Sequence, residues 1–474
     1  MLLSKKTVGF ALLIICLLIG HLPAVGAAKN FTIQLKDERL SLTADKTPLR
    51  LILTELATQG VIVKLDPQIN PSITADYSNK PIEQVLGAIL SNASYSLLWE
   101  SKKTSAGSAR ISLAEIQIFK SGQKDLMKQL LPPKKLLIAQ NRDGSFYVKN
   151  EILLQLTAGA DITELARDLQ QYNATVTPSK IPGVLRITFP ENANIQAILR
   201  QITDKHEIDS AELNYAYPIQ QPITYPAPLP APDLEAEYYA PASNLAPIAI
   251  LDSGLSTSVM DFDKFVISSL DVLNPDMPIT DTLGHGTQMA LIASGLVKPY
   301  GIGNESSESY NPIIAIKAFD DNGYITDFNI MDSINFALQN NARVMSLSWG
   351  SETKSAFMEK AFEYASAKGL IIVASAGNEP TGNPVYPAAY PSVIGVGALG
   401  PHGKKNWVNS NYGSFVAFYA PGFANMPVGY NGDPGIYAGT SISAAYVANS
   451  ISSFLSQNPS ATMQEVVEFL NNKY

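Results

Sequence analysis

The chain is 474 residues long, 46% hydrophobic and 16% charged, with a formal net charge of −8. That length suits two to four domains with real cores, and the composition excludes a disordered chain. The acidic balance argues against a nucleic-acid partner, which demands a basic footprint. Four histidines without an HExxH motif or a Cys/His cluster leave no zinc signature, so no metal ligand is assigned.

Lys5 and Lys6 precede Val8 to Gly20, a 13-residue apolar stretch, and the small residues of PAVGAA follow. This is the order of a secretory signal peptide over residues 1–28, with cleavage after Ala27 or Ala28. The apolar core is short for a membrane span of about 20 residues, an uncleaved anchor being the alternative. Cys16, the only cysteine, lies inside it. The exported chain then has no thiol, no disulfide and no cysteine nucleophile.

Residues 31–119 hold two amphipathic stretches. PLRLILTELATQ places Leu49, Ile52, Leu53 and Leu56 on one helical face, and PIEQVLGAILSN does the same with Ile82, Val85, Leu86, Ile89 and Leu90. Short β-rich runs (VIVKLD, SITADY, YSLLWE and RISLAEIQIF) lie between and after them. The β-α-β-β-α-β pattern resembles the small N-terminal domain shared by secretins and TonB-dependent receptors, which implies a cell-envelope partner bound through residues 31–119. Read without that resemblance, the segment is a small α+β packing domain.

After LPPKK, a proline-marked linker, a second unit runs from 146 to 217. FYVKNEILLQL alternates as a strand. DITELARDLQQYN starts near Asp161 and carries Ile162, Leu165, Ala166 and Leu169 on one face. VLRITF is a strand, NIQAILRQI repeats the helical spacing with Ile195, Ile198, Leu199 and Ile202, and AELNYAYP alternates again. This second β-α-β-β-α-β unit resembles the inhibitory propeptide of subtilisin-like proteases, which implies an intramolecular inhibitor. The proline-rich residues 218–245 that follow show no apolar period, so they read as an extended, exposed boundary open to proteolysis.

From residue 246 onward, apolar strands (PIAILDSG, PIIAIKAF, ARVMSLSWG, LIIVASAGN, SVIGVGAL) alternate with amphipathic helices (DFNIMDSINFALQNN, SAFMEKAFEYASAKG, SISAAYVANSISSFL). The fold class is therefore α/β, a mostly parallel sheet with helices on both faces, preceded by two small α+β domains. Sites in such sheets form beyond the carboxyl ends of the strands.

Those ends carry the chemistry. PIAILDSG ends in Asp252, GHGT sets His285 between glycines that permit close approach, and LIIVASAGNEP ends in Asn378. Ser441 in YAGTSISAAYVA, read alone, is a helix cap. Together with Asp252 and His285 it meets the needs of acyl transfer. The serine attacks, the histidine takes and returns its proton, the aspartate holds the imidazole, and the Asn378 amide donates to the oxyanion. The order Asp, His, Ser differs from that of α/β-hydrolases and of chymotrypsin.

ILDSG, GHGT and GTSISAAYVA resemble the Asp, His and Ser motifs of the subtilase family of serine proteases, the last matching GTSMAAPHVA. VASAGNE resembles the oxyanion strand, and YPAAYPSVIGVGA and SNYGSFVAFYAPG match two further family segments. The resemblance covers about residues 246–474. Ala445, Gln288 and Leu291 depart from the motifs without removing a chemical group.

The resemblance also implies that Ser348, Trp349, Gly350 and Ser351 form an edge strand pairing with substrate backbone, with Ser375, Ala376 and Gly377 as the opposite wall. Val385 stands where many relatives have glycine and either narrows the primary pocket or points elsewhere. FDDNGYITD reads as a surface turn, with a calcium loop as the alternative, since carboxylates with Asn and Gly occur in such loops. Many relatives bind calcium, so a structural calcium ion of unassigned ligands is the alternative expectation, while catalysis needs no cofactor. The leading expectation is an exported, extracytoplasmic serine endopeptidase made as a self-processing zymogen that acts on polypeptides. The rival is a cell-envelope binding or assembly protein whose protease domain serves its maturation.

Overall fold

In a computed structural model, residues 31–220, 223–224 and 245–474 are described, apart from 37, 67, 91–92, 104–108, 131–135, 161, 204, 257–261, 276, 303–309 and 429–433. The signal peptide read at 1–28, the LPPKK linker, Asp161 and residues 225–244 of the tether lie outside them.

The first unit contains β1 (Phe31–Lys36), β2 (Arg39–Pro48), α1 (Leu49–Thr58), β3 (Ile62–Leu65), β4 (Ser72–Pro81), α2 (Ile82–Ile89), β5 (Ser94–Lys103), β6 (Ala109–Phe119) and β7 (Lys128–Leu130). Both helices bury the faces read from their spacing: Leu49, Ile52, Leu53, Leu56, Ile82, Val85 and Leu86 share a core with Val63, Leu65, Ile116 and Ile118. The β-α-β-β-α-β reading is corrected in its strands. There are more of them, and they form two sheets, one in the order β1-β2-β4 and one in the order β5-β6-β3-β7. The alternation of Ile33, Leu35, Leu40 and Leu42 is a local hairpin signal. What divides the sheets is the parallel pairing of Ile62–Leu65 with Glu115–Ile118, a contact between distant segments.

The second unit runs β8 (Ile138–Gln140), β9 (Phe146–Leu156), α3 (Ile162–Gln170), β10 (Thr175–Pro178), β11 (Val184–Thr188), α4 (Ile195–Thr203) and β12 (Ile208–Pro218). Its antiparallel sheet, ordered β10-β11-β9-β12, covers a core of Ile152, Leu154, Leu165, Leu169, Ile187, Ile195, Ile198 and Ile202. After it, β13 (Ile223–Thr224) is a two-residue strand.

The third unit holds β14 (Ile248–Asp252), β15 (Val266–Asp271), α5 (His285–Ala293), β16 (Ile313–Lys317), β17 (Tyr324–Thr326), α6 (Asp327–Gln339), β18 (Val344–Leu347), α7 (Ala356–Ala367), β19 (Ile371–Ser375), β20 (Val393–Leu399), β21 (Phe418–Pro421), β22 (Phe423–Met426), β23 (Gly435–Ala438), α8 (Thr440–Gln457) and α9 (Met463–Lys473). Seven strands form one parallel sheet in the order β15-β16-β14-β18-β19-β20-β21. Successive strand residues face opposite sides. Ile248 and Ile250 therefore pack with α5 and α8 (Met289, Ile292, Ile451), while Ala249 and Leu251 pack with α6 and α7 (Ile330, Ile334, Phe357, Phe362). Both faces are covered, which explains why these strands are continuously apolar.

The second unit docks on the third through its sheet. Ala216–Pro218 of β12 pair antiparallel with Thr326–Tyr324 of β17, so the small sheet gains an outer strand. Below this seam the second unit meets two helix N-termini, where free backbone N–H groups favour negative or acceptor atoms. Asn214 Oδ1 accepts from Phe328 N at 3.2 Å, and the Glu212 carboxylate accepts from Ala356 N at 3.2 Å and from Ser355 Oγ at 3.3 Å. The Arg186 guanidinium lies 4.1 Å from the Phe328 ring centre.

Candidate active site

Asp252 is the last residue of β14, and His285 is the first of α5. His285 Nδ1 donates to Asp252 Oδ1 at 2.7 Å, with both side chains buried. Ser253 N donates to the same oxygen at 2.7 Å. The approach depends on Gly286: a Cβ there would collide with Gly254 O and stand 3.2 Å from Asp252 Cβ. His285 Nε2 is buried and has no hydrogen-bond partner among the described residues. Burial of the ring disfavours its charge, but the Asp252 carboxylate, its hydrogen bond and the Asp281 charge outweigh this and raise the His285 pKa above 6.5.

Ser441 is the second residue of α8, which packs directly against α5. Its Oγ donates to Ser348 O at 3.4 Å, across to the residue that follows β18. Asn378 lies just past β19, and its Oδ1 accepts from Thr440 N at 2.9 Å and from Thr440 Oγ1 at 3.0 Å. That pair fixes the amide and leaves Nδ2 toward Gly439, 3.5 Å from where a Cβ on that glycine would sit.

Trp349 is fully buried, its ring 5.2 Å from that of Tyr217 and 6.4 Å from that of Phe319. Only its backbone faces the groove, where it forms an antiparallel bridge with Ile219. Ser375 closes β19, Ala376 N donates to Val396 O at 2.9 Å, and Gly377 N donates to Thr440 Oγ1 at 3.1 Å. Val385 is buried against both walls. A Cβ on Gly350 would collide with its Cγ1, and one on Gly377 would lie 3.8 Å from its Cγ2. Asp320, in the turn read from FDDNGYITD, accepts from Asn322 N at 3.0 Å and Tyr324 N at 2.9 Å, closing its own loop. No group of three or more His, Cys, Asp and Glu that could hold a metal occurs among the described residues.

The model of the subtilase family matches residues 245–474. Across 246 residues the chain is 30% identical to subtilisin from Bacillus pumilus, which covers 51% of this chain and 87% of that protein. The chain belongs to the subtilase family. It is a subtilisin-like serine protease, and the model of the fervidolysin N-terminal prodomain matches residues 133–214, marking it as made with a prodomain. A thermophilic serine proteinase from Bacillus sp. (strain AK1) is 28% identical over 309 residues, 64% of this chain and 77% of that one. In fold the chain is similar to fervidolysin from Fervidobacterium pennivorans, a keratinolytic enzyme related to subtilisin, at 23% identity and a TM-score of 0.56, covering 70% of this chain and 58% of that one. None of these matches concerns secretins or TonB-dependent receptors.

Two residues of this subtilase site escape a reading of the sequence. Asp281 accepts from Ser253 Oγ (2.9 Å), Leu283 N (3.2 Å), Gly284 N (2.8 Å), Thr287 N (2.8 Å) and Thr287 Oγ1 (2.7 Å). One carboxylate thus ties the loop before His285 to its first helical turn and to the residue beside Asp252. Thr440 is the other: its hydroxyl accepts from Gly377 N and donates to Asn378 Oδ1, joining the groove wall to the amide. The DTLGHGT and AGTS strings contain both residues, but the signal that identifies them is a contact through space.

Two outcomes follow from this geometry. With His285 as the general base, a role taken up under the proposed function, the acid limb of kcat/KM should lie above pH 6.5, because its pKa is raised. Asp281→Asn removes one of the charges raising it, so the limb should move to lower pH in the pH–rate profile. Thr440→Val should lower kcat by about tenfold or more with little change in KM, and Thr440→Ser should restore it. Equal kcat for Thr440→Val and the wild type would show that the Thr440 hydroxyl, and its hold on Asn378, is not used in the reaction.

Proposed function

We propose that this subtilase is an exported endopeptidase that hydrolyses polypeptides through an acyl-enzyme and cuts itself out of its own precursor. The observation that carries the reading is the buried His285–Asp252 pair, with Nε2 unpartnered among the described residues, on a helix packed against α8, whose first turn holds Ser441. In the reaction, the Ser441 hydroxyl leaves Ser348 O and turns to His285 Nε2, a contact that commonly tightens only with substrate bound. The serine then adds to the carbonyl carbon. His285 carries the proton to the leaving amine, and Asp252 keeps Nδ1 protonated and stabilises the imidazolium. Asn378 Nδ2 donates to the oxyanion while Thr440 holds the amide's other end. Export rests on the signal peptide read at residues 1–28, ahead of a thiol-free chain.

The second unit is read as the inhibitor of this site. Its last strand leads the chain past β17 to Trp349, so it occupies the groove that a substrate backbone would need. Ser441→Ala should therefore accumulate as an uncut precursor, whereas the wild type yields a shorter catalytic fragment by intact-mass measurement. If purified Ser441→Ala matures to the same mass, another protease performs the step.

The docked state also carries a proton-linked contact. Burial pushes the Asp327 carboxyl up to about 7, against hydrogen bonds from Tyr217 and Ser355 that pull it down, and nearby Glu212 adds to the rise. Glu212 is itself raised by burial, with the N–H groups at the start of α7 and Lys360 opposing. The part of this rise that docking supplies, through cover by Tyr217 and the Glu212 charge, stabilises the docked state while Asp327 is protonated and is lost as pH climbs through about 7. The cut prodomain should leave faster at about pH 8 than at about pH 6, and Asp327→Asn should flatten the dependence. A pH-independent release rate in the wild type would exclude this linkage.

A further inference from the structure

We propose that the chain cuts itself on the carboxyl side of Gln220, and that the pocket Gln220 fills selects an unbranched, uncharged side chain of that length over an aromatic one. The inference rests on the catalytic roles proposed above and adds to them the bond and the side-chain class.

The register locates the bond. Pairing of β12 with β17 ends at Pro218 opposite Tyr324, and Ile219 N donates to Gly323 O at 2.8 Å. Ile219 then lies opposite Trp349 in an antiparallel bridge. Moving one residue forward on one strand and one back on the other sets Gln220 opposite Ser348. Ser348 O is the atom that accepts from Ser441 Oγ at 3.4 Å. Beyond this point, Ile223 and Thr224 pair antiparallel with Ala438 and Tyr437 of β23, the strand that runs into Gly439 and Ser441. The chain is thus held on both sides of the serine, and Gln220 is the residue brought level with it.

The side chain identifies the pocket. Gln220 Nε2 donates to Gly350 O at 3.5 Å and lies 3.6 Å from the position of a Cβ on Gly377. Val385 closes the space between those two glycines, touching both walls. A slim amide fits there, whereas a ring would have to displace Val385. Gly350 O offers an acceptor to the amide nitrogen. Gln220 Oε1 is buried with no partner among the described residues, so a carboxylate in its place would be buried without a donor as well.

In the step itself, Ser441 Oγ bonds to the Gln220 carbonyl carbon while its proton passes to His285 Nε2. The bond from that carbon to the nitrogen of residue 221 breaks as His285 returns the proton to the departing amine. Water then adds to the Gln220 ester through His285, leaving a Gln220 carboxylate and a free Ser441 hydroxyl.

The test follows the full exported chain as it matures. The first two fragments are expected to end at Gln220 and to begin at residue 221 by intact mass. Gln220→Met should mature at a rate within about threefold of wild type, while Gln220→Phe should slow by about tenfold or more. Val385→Gly added to Gln220→Phe should recover the rate. To cover a variant that fails to fold, mature wild-type enzyme is given peptides with Pro-Ile-Gln or Pro-Ile-Phe before the cut, and the glutamine peptide is expected to have the higher kcat/KM. First fragments that meet elsewhere, or equal kcat/KM for the two peptides, would overturn the inference. Fluorophosphonate labelling separates the two levels. A labelled mature enzyme with a different first cut loses only this inference, whereas a fragment that forms without any labelling of Ser441 removes the catalytic reading beneath it.

Discussion

A parallel sheet buried on both faces can place polar atoms at only one kind of location, beyond its ends. In the seven-stranded sheet of this subtilase, the apolar residues of the interior strands meet apolar side chains above or below, from Ile248 with α5 and α8 to Ile372 with α6 and α7. Parallel pairing makes all seven strands run the same way, so their carboxyl ends gather along one edge. The helices that return the chain begin near that edge, bringing their N–H groups with them. Asp252, Ser348 and Ser375 finish or follow strands, His285 opens α5, and Ser441 lies in the first turn of α8. The site is the consequence of that one-sided collection of polar termini.

The same principle explains how the second unit holds on. Helices α6 and α7 also present N-termini, and the docking unit answers them with Asn214 and Glu212 in place of water. Tyr217 covers the result, donating to Asp327 Oδ1 at 2.8 Å while its ring lies on Trp349. Carboxyls enclosed in this way lose hydration that neighbouring hydroxyls only partly replace, which is why burial dominates the pKa of Asp327. Strand addition along β17 and Trp349 supplies direction, since antiparallel pairing admits one register at a time and a one-residue slip would turn Tyr217 out of its buried position. Backbone alignment and side-chain burial thus specify the same placement for the residues that follow.

Much of this was legible from local pattern. The strand and helix periods of the third unit reflect which faces are buried, and that information is carried by each residue in turn. The spacing of Leu49, Ile52, Leu53 and Leu56 found its helix for the same reason. The strands of the first unit were less legible, because β3 and β6 join residues that are far apart in the chain and nothing in either string names its partner. Val385 shows the same limit. Its identity beside Tyr386 left two orientations open, and where its methyl groups lie, beside Gly350 and Gly377, is set by packing between distant segments.

By itself, the sequence determined the kind of chemistry and the class of fold: an aspartate, a histidine and a serine in an ordered set of motifs, distributed over apolar strands and amphipathic helices. These are properties of residue type and spacing, and they survive without coordinates. Tertiary structure alone decided that Asp281 braces the turn into His285, that Thr440 holds the Asn378 amide, and that Gln220 comes level with Ser441. Each depends on atoms brought within hydrogen-bonding reach by elements from separate parts of the chain. Such contacts exist only once the sheet has closed and the second unit has aligned on its edge.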